Sequence, residues 1–268
     1  MDRRFRLVVS IVALLAAAAW LWFSPPEQQP PQRTTPPIAE RPAASSAASP
    51  TQDEALPPAT TSARPGLYIL AMSWFPGFCS LKQRAPECRD AGPTFALHGL
   101  WPADEYCGVS DALRQRDLDS GWQTLPAVTL SAATRAALDA VMPGTRSSLE
   151  RHEWLAHGTC SGVSADRYFA RAASFAAAVR NSALTAFFAS SRGKTVSRAD
   201  VQSAADAAFG KGLGTRLRLS CTSDGHRQVI DEVTIALYGN VVGGTDGLTA
   251  LMRATRPKNG GCDNGLVR

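Results

Sequence analysis

Two short stretches decide how this chain reads: Phe95-Ala96-Leu97-His98-Gly99-Leu100-Trp101-Pro102 and His152-Glu153-Trp154-Leu155-Ala156-His157-Gly158-Thr159-Cys160. Between them these compact stretches hold three of the four histidines. The second stretch invites a zinc-protease reading, which fails on spacing. A zincin needs H-E-x-x-H, because histidines four apart lie about 40° apart on a helix and converge on one ion. Here the histidines are five apart, about 140° around a regular helix, so no metal ligation is expected from them. Glu153 and His157 are four apart and share a helical face. A carboxylate beside an imidazole raises its proton affinity and fixes its tautomer, which suits general acid–base chemistry.

Outward from these stretches the chain divides into three. Residues 1–23 carry Arg3, Arg4 and Arg6 and then an apolar run from Leu7 to Phe23. Positive charge before an apolar segment sends the following chain across a membrane. Leu7–Phe23 is short for a spanning helix and long for a signal core. Ala17 and Ala19 suit a signal peptidase, whereas Trp20 and Trp22 suit the outer edge of an anchor, so residues 1–23 read as a signal peptide or an N-terminal membrane anchor. Residues 24–65 hold 11 of the 18 prolines and no aromatic residue, and their only large aliphatics are Ile38 and Leu56. Such a segment buries too little to offset chain entropy and reads as a disordered linker. Residues 66–268 contain every cysteine and histidine and can bury one core. Their 22 basic residues against 18 acidic ones are compatible with a polyanionic ligand without demanding one. The chain's 44% hydrophobic content excludes wholesale disorder.

Within residues 66–268, strands are expected over Leu67–Trp74 and Thr94–Trp101 from their alternating or apolar texture. A helix over about 132–142 should stop at Pro143-Gly144. Ser147-Ser148-Leu149-Glu150 has capping-box spacing and should open a helix ending near Gly158. Ser164 should cap a long alanine-rich helix with Tyr168, Phe169 and Phe175 facing the core. Ser197 and Asp200 should cap another that ends at Gly210, with strands near 213–221 and 228–238. The fold class is α+β. Six cysteines in an exported domain suggest three disulfides among fifteen possible connectivities, and none has the C-x-x-C spacing of a zinc or redox site.

The two stretches resemble the paired active-site segments of the T2-type ribonuclease family, which run roughly F-T-x-H-G-L-W-P and H-E-W-x-K-H-G-T-C. This chain departs from them at Ala96 and at Ala156, where lysine is usual. Further likeness in Leu70-Ala71-Met72-Ser73-Trp74, Gly77-Phe78-Cys79, Val141-Met142-Pro143-Gly144 and Gly193-Lys194-Thr195-Val196-Ser197-Arg198 points to the bacterial periplasmic ribonuclease I branch. The resemblance implies a disulfide-stapled α+β domain in which helices back an antiparallel sheet, and a metal-independent, cofactor-free endoribonuclease. Such an enzyme cuts single-stranded RNA with little base preference, using the ribose 2′-hydroxyl as nucleophile and leaving a 2′,3′-cyclic phosphate. It further implies His98, Glu153 and His157 as catalytic, with His157 the base and His98 the acid, and His152 on the phosphate. Trp101 and Tyr106 would offer aromatic surface to a base. The disulfides would be Cys79–Cys88, Cys107–Cys160 and Cys221–Cys262. RNA is the partner implied; no obligate protein partner is evident, and inner-membrane attachment would run through residues 7–23 if they are retained. Two other readings stand: a non-catalytic RNA-binding or partner-binding module, which the missing lysine at Ala156 allows and the retained His98, His152, Glu153 and His157 oppose, and a different phosphodiesterase or metal hydrolase, which the histidine spacing disfavours. Trp154 lies off the Glu153/His157 face and is expected in the core; His226, in a turn-like stretch, is expected in solvent.

Overall fold

A computed structural model of the protein describes residues 65–90, 92–119, 121–257 and 260–268. The expected export segment (1–23) and all but the last residue of the expected linker (24–65) lie outside them. The described elements run β1 (Gly66–Trp74), α1 (Phe75–Leu81), β2 (Phe95–Pro102), α2 (Asp111–Asp119), α3 (Ala132–Val141), α4 (Leu149–Ala156), α5 (Ala165–Arg180) and α6 (Ala183–Ser190). They continue through β3 (Thr195–Ser197), α7 (Arg198–Phe209), β4 (Leu217–Ser223), β5 (Gln228–Gly239), α8 (Leu248–Arg253) and β6 (Asn264–Leu266), with short 3-10 turns between. Among the described residues no helix is long and apolar enough to cross a membrane.

The sheet has the order β2-β1-β5-β6-β3, with β4 also paired to β5. Every pairing is antiparallel except β5 with β6, which meet in parallel at Val229 and Leu266. The alternation in Leu67–Trp74 puts Tyr68, Leu70, Met72 and Trp74 into the core. Trp74 packs edge-on to Phe95 and against Phe188, and its indole donates to the carbonyl of Arg268. Helix α5 starts as its Ser164 cap predicts, the hydroxyl accepting from the Arg167 amide. Its small Ala172, Ala173 and Ala176 are buried, so the helix lies close on β2 and α3. The Tyr168 hydroxyl fixes it there by donating to the Leu100 carbonyl at 2.7 Å. Trp154 belongs to this core, against Tyr168 and Phe169, as expected.

Some local expectations fail for identifiable reasons. The capping box at Ser147–Glu150 does not form: Ser148 takes the left-handed N-cap position at φ 62° with no side-chain cap, and the Ser147 hydroxyl donates instead to Glu87. Helix α4 ends at Ala156 rather than near Gly158, because His157 leaves helical geometry at φ −125°. At 213–216 the chain makes a 3-10 turn, so β4 starts only at Leu217. The capping box of α7 forms as read, with both Ser197–Asp200 bonds present.

The structure joins Cys79–Cys88, Cys107–Cys160 and Cys221–Cys262, the pairings that the resemblance implied. The second of these ties the loop after β2 to the turn after α4. Closing a 53-residue separation is worth about 4 kcal/mol on a chain-entropy account.

Candidate active site

The two motif stretches meet at the end of the sheet. On β2 the pairing with β1 slips by one residue: Met72 faces Leu97 and Ala71 faces Gly99, which leaves His98 as the extra residue of a β-bulge. Bulges re-aim side chains, and this one directs His98 into a groove of about 760 Å³ bounded by Ser73, Leu149, Arg218 and Glu232. Gly99 is required by close approach: a Cβ there would overlap the Glu153 carboxylate and the Trp101 indole nitrogen. A separate concavity of about 620 Å³, lined by Arg135, Asp139 and Arg180, contains no histidine.

Helix α4 supplies the opposite wall. Glu153 is fully buried, and its Oε2 accepts from Trp101 Nε1 at 2.9 Å. Its Oε1 lies 3.8 Å from His98 Nε2 and has no hydrogen-bond partner. Burial pushes the Glu153 carboxyl up, and the nearby His98 and His152 partly oppose this. Trp101 stands between the two principal histidines, with its ring centroid 5.1 Å from His98 and 5.4 Å from His157.

The three imidazoles occupy different electrostatic settings. Burial alone would depress His98, but its Nδ1 donates to Glu232 Oε2 at 2.6 Å, and that bond with the charges of Glu153 and Glu232 raises its proton affinity above the ordinary value. His152 is likewise raised against its burial, here by Nδ1 donating to Asp117 at 2.8 Å and by the charge of Glu153. His157 makes no such bond, and the charge of Asp117 only partly offsets what lowers it. It is 8% exposed, its Nδ1 is buried without a partner, and burial together with the charges of His152 and His98 brings it down to about 4. The expectation that Glu153 raises His157 is therefore corrected. The His157 amide still donates to the Glu153 carbonyl at the end of α4, but the Glu153 carboxylate engages Trp101 and faces His98, and burial dominates at His157.

The same helix break changes the metal argument. One ligand atom each from His152, Glu153 and His157 lie within 4.8 Å of one another, a convergence that a regular helix would not allow. However, His152 Nδ1 and Glu153 Oε2 are already engaged by Asp117 and Trp101.

His98, Trp101, His152, Glu153 and His157 thus come together. Tyr106 stands one step behind: it takes a left-handed conformation at φ 54°, its hydroxyl donates to Asp117 at 2.8 Å, and Arg114 lies over its ring. His226 is exposed in its turn. Ala156 is 2% exposed, and its carbonyl accepts from the Tyr106 amide. Arg151 bonds the carbonyls of Gln123 and Leu125, away from the phosphate site the resemblance implied.

Three residues of the site escaped the sequence reading. Trp122 stacks on His152, with centroids 4.9 Å apart. Asp117 is one acid among several on the polar helix α2, and nothing in the sequence sets it apart. Glu232 did leave a signal: Asp231-Glu232 interrupts an otherwise apolar strand, and an acid in such a place needs a partner.

Comparison with known proteins finds ribonucleases. The profile of the ribonuclease T2 family matches residues 65–248. Ribonuclease I of Escherichia coli (strain K12) is 29% identical over 235 residues, covering 75% of this chain and 84% of its own. Ribonuclease MC of Momordica charantia is 32% identical over 163 residues, 56% of this chain and 78% of its own. A crystal structure of a ribonuclease MC1 mutant superposes with a TM-score of 0.50 at 20% identity, covering 75% of this chain and 99% of that one. Another MC1 mutant, in complex with 5′-UMP, gives 0.50 at 19% identity and covers 76% and 99%.

Proposed function

The chain belongs to the ribonuclease T2 family and is an endoribonuclease of that type, and on that premise we propose that it cleaves single-stranded RNA by transphosphorylation, without a metal, using His157 as base and His98 as acid. The observation that carries the assignment is the contrast between two imidazoles on either side of one indole, His98 with Nδ1 bonded to Glu232 at 2.6 Å and His157 with Nδ1 buried and partnerless. Environments that push two titratable groups apart divide the roles of acid and base between them.

His157, lowered to about 4, is neutral at physiological pH and can take the proton of the ribose 2′-hydroxyl. The 2′-oxygen attacks phosphorus, the bond to the 5′-oxygen breaks, and His98, held cationic, protonates the leaving oxygen. A 2′,3′-cyclic phosphate remains on one fragment and a 5′-hydroxyl on the other. Negative charge accumulates on the phosphoryl oxygens in the transition state, and a cationic His152 backed by buried Asp117 stabilises it selectively. Glu153 supports both cationic histidines through its charge. The aromatic faces of Trp101 and Trp122 suit unstacked bases without strong discrimination, and the MC1 mutant holding 5′-UMP is consistent with nucleotide recognition on this fold. We place Tyr106 behind His152 rather than against a base.

Export fits the same reading. Three disulfides persist in oxidising compartments, and residues 1–23 have the composition of an export segment. A periplasmic or secreted enzyme is inferred, its anchoring depending on whether residues 7–23 are retained.

The convergence of His152, Glu153 and His157 favours one competing reading, a metal-assisted phosphodiesterase. One assay separates the two. RNA and matching DNA are digested with and without EDTA, and the product ends are read by mass spectrometry. RNA-only cleavage, unaffected by EDTA and leaving cyclic phosphate, is expected. DNA cleavage or loss of activity in EDTA would overturn the metal-free assignment. No cleavage at all would favour a non-catalytic RNA-binding module.

A further inference from the structure

The shortest polar contact in the site is made by a residue from outside both motifs. Glu232 lies on β5, where it faces Ser73 of β1, and Ser73 in turn faces Ala96 of β2. His98 and Glu232 therefore approach each other across β1 from strands that are not neighbours. Both strands are irregular at that point. The bulge on β2 leaves His98 unpaired, and on β5 the pairing with β4 slips so that Ser220 faces Glu232 while Cys221 faces Ile230, leaving Asp231 as the extra residue. Two bulges in one sheet, each beside a member of a 2.6 Å contact, re-aim side chains that regular pleating would leave one strand apart.

We propose that Glu232 is a positioning residue for His98, which it holds with Nδ1–H donating to its carboxylate and Nε2 turned toward Glu153 and the scissile phosphate. Glu232 does not touch the reacting atoms; it acts through the imidazole. With Nδ1 engaged, ring rotation is stopped and Nε2 is the nitrogen left to carry the proton for the leaving oxygen. The neighbouring strand acid Asp231 does not share the task, since it accepts from the Thr222 hydroxyl at 2.7 Å. The other titratable or charged groups near His98 are Glu153 on α4, His152 and His157 beyond it, and, on the groove wall, Arg218 from β4, Lys82 just past α1 and Glu87, which accepts from Ser147. Glu153 faces Nε2, so Glu232 is the carboxylate that can orient the ring from behind.

This inference rests on the proposed role of His98, and its test separates the two. Glu232→Gln and Glu232→Asp are compared with wild type in two ways: histidine-ring NMR titration without RNA, and the pH dependence of RNA cleavage. In Glu232→Gln the His98 midpoint should fall by about one unit or more, and the alkaline limb of kcat should move down with it. Cleavage should then be roughly tenfold slower above neutrality and much closer to wild type near pH 5. Glu232→Asp should recover part of both shifts. An unmoved His98 midpoint, or an equal loss at every pH, would overturn the positioning role and leave the proposed function standing. If the midpoint moves but the cleavage profile does not, the acid assignment of His98 fails. If wild type does not cleave RNA, the proposed function fails, while the NMR arm still decides whether Glu232 governs His98.

Discussion

His98 and His157 are delivered by opposite structural devices. The first stands on a bulge of β2, where a carboxylate from β5 reaches one ring nitrogen and another from α4 faces the other. The second stands just past the end of α4, buried, with a partnerless Nδ1 and two imidazoles nearby. The same side chain is therefore made easier to protonate in one place and harder in the other. On the proposed mechanism, then, what separates the acid from the base is a carboxylate bonded to one imidazole and the burial of the other, and not the motif residues alone.

Truncating either histidine is the harshest way to break the comparison. His98→Ala and His157→Ala should each reduce kcat by roughly 10²–10⁴-fold in folded protein, the range typical of general acid–base groups. Wild-type turnover in either would remove that residue from the reaction. The intact enzyme should give a bell-shaped profile. Activity rises with pH as His157 loses its proton, so the acid limb should lie near 4, and it falls as His98 loses its own, so the alkaline limb should lie above 6.5. A narrow bell centred near 6 would contradict the separation.

Gly99→Ala perturbs the wall shared by both devices. The added Cβ must displace the Glu153 carboxylate or the Trp101 indole, and a misplacement of that kind can cost about 10²-fold in kcat. A crystal structure or indole NMR shift should reveal a broken Trp101–Glu153 bond. Asp117→Asn is gentler. It should lower turnover about tenfold by weakening the cationic form of His152. The deficit should grow as pH rises, since without the Asp117 charge His152 gives up its proton at lower pH. A deficit constant with pH would reduce Asp117 to a structural support.

These effects also mark how far the sequence could be read. Strand β1, helix α5 and the capped α7 were legible because alternation, a serine cap and a capping box each act locally. The family, the disulfide pairs and the gathering of His98, His152, Glu153 and His157 followed from two long motifs. What the sequence withheld is tertiary. Whether α4 would end before His157 depends on the turn packed by Gly158 against Trp154 and stapled through Cys160, and the burial that lowers His157 is likewise tertiary. Glu232 lies 134 residues from its partner, so no local spacing could pair them.

Ala156→Lys should have the smallest effect. An ammonium at this position would add to the charge facing the transition state, and a rise in kcat of up to about tenfold with little change in KM is expected. Ala156 is buried, so the folded fraction must be checked by circular dichroism first. Unchanged turnover in folded protein would mean that His98 and His152 already supply the charge.

The two imidazoles should differ in proton affinity before any substrate arrives. Titration of the histidine ring resonances of the resting wild-type enzyme, assigned from the spectra of His98→Ala and His157→Ala, reads this separation. His157 should titrate near 4 and His98 above 6.5, with His98 remaining the more basic throughout. Coincident midpoints, or His157 titrating above His98, would contradict this.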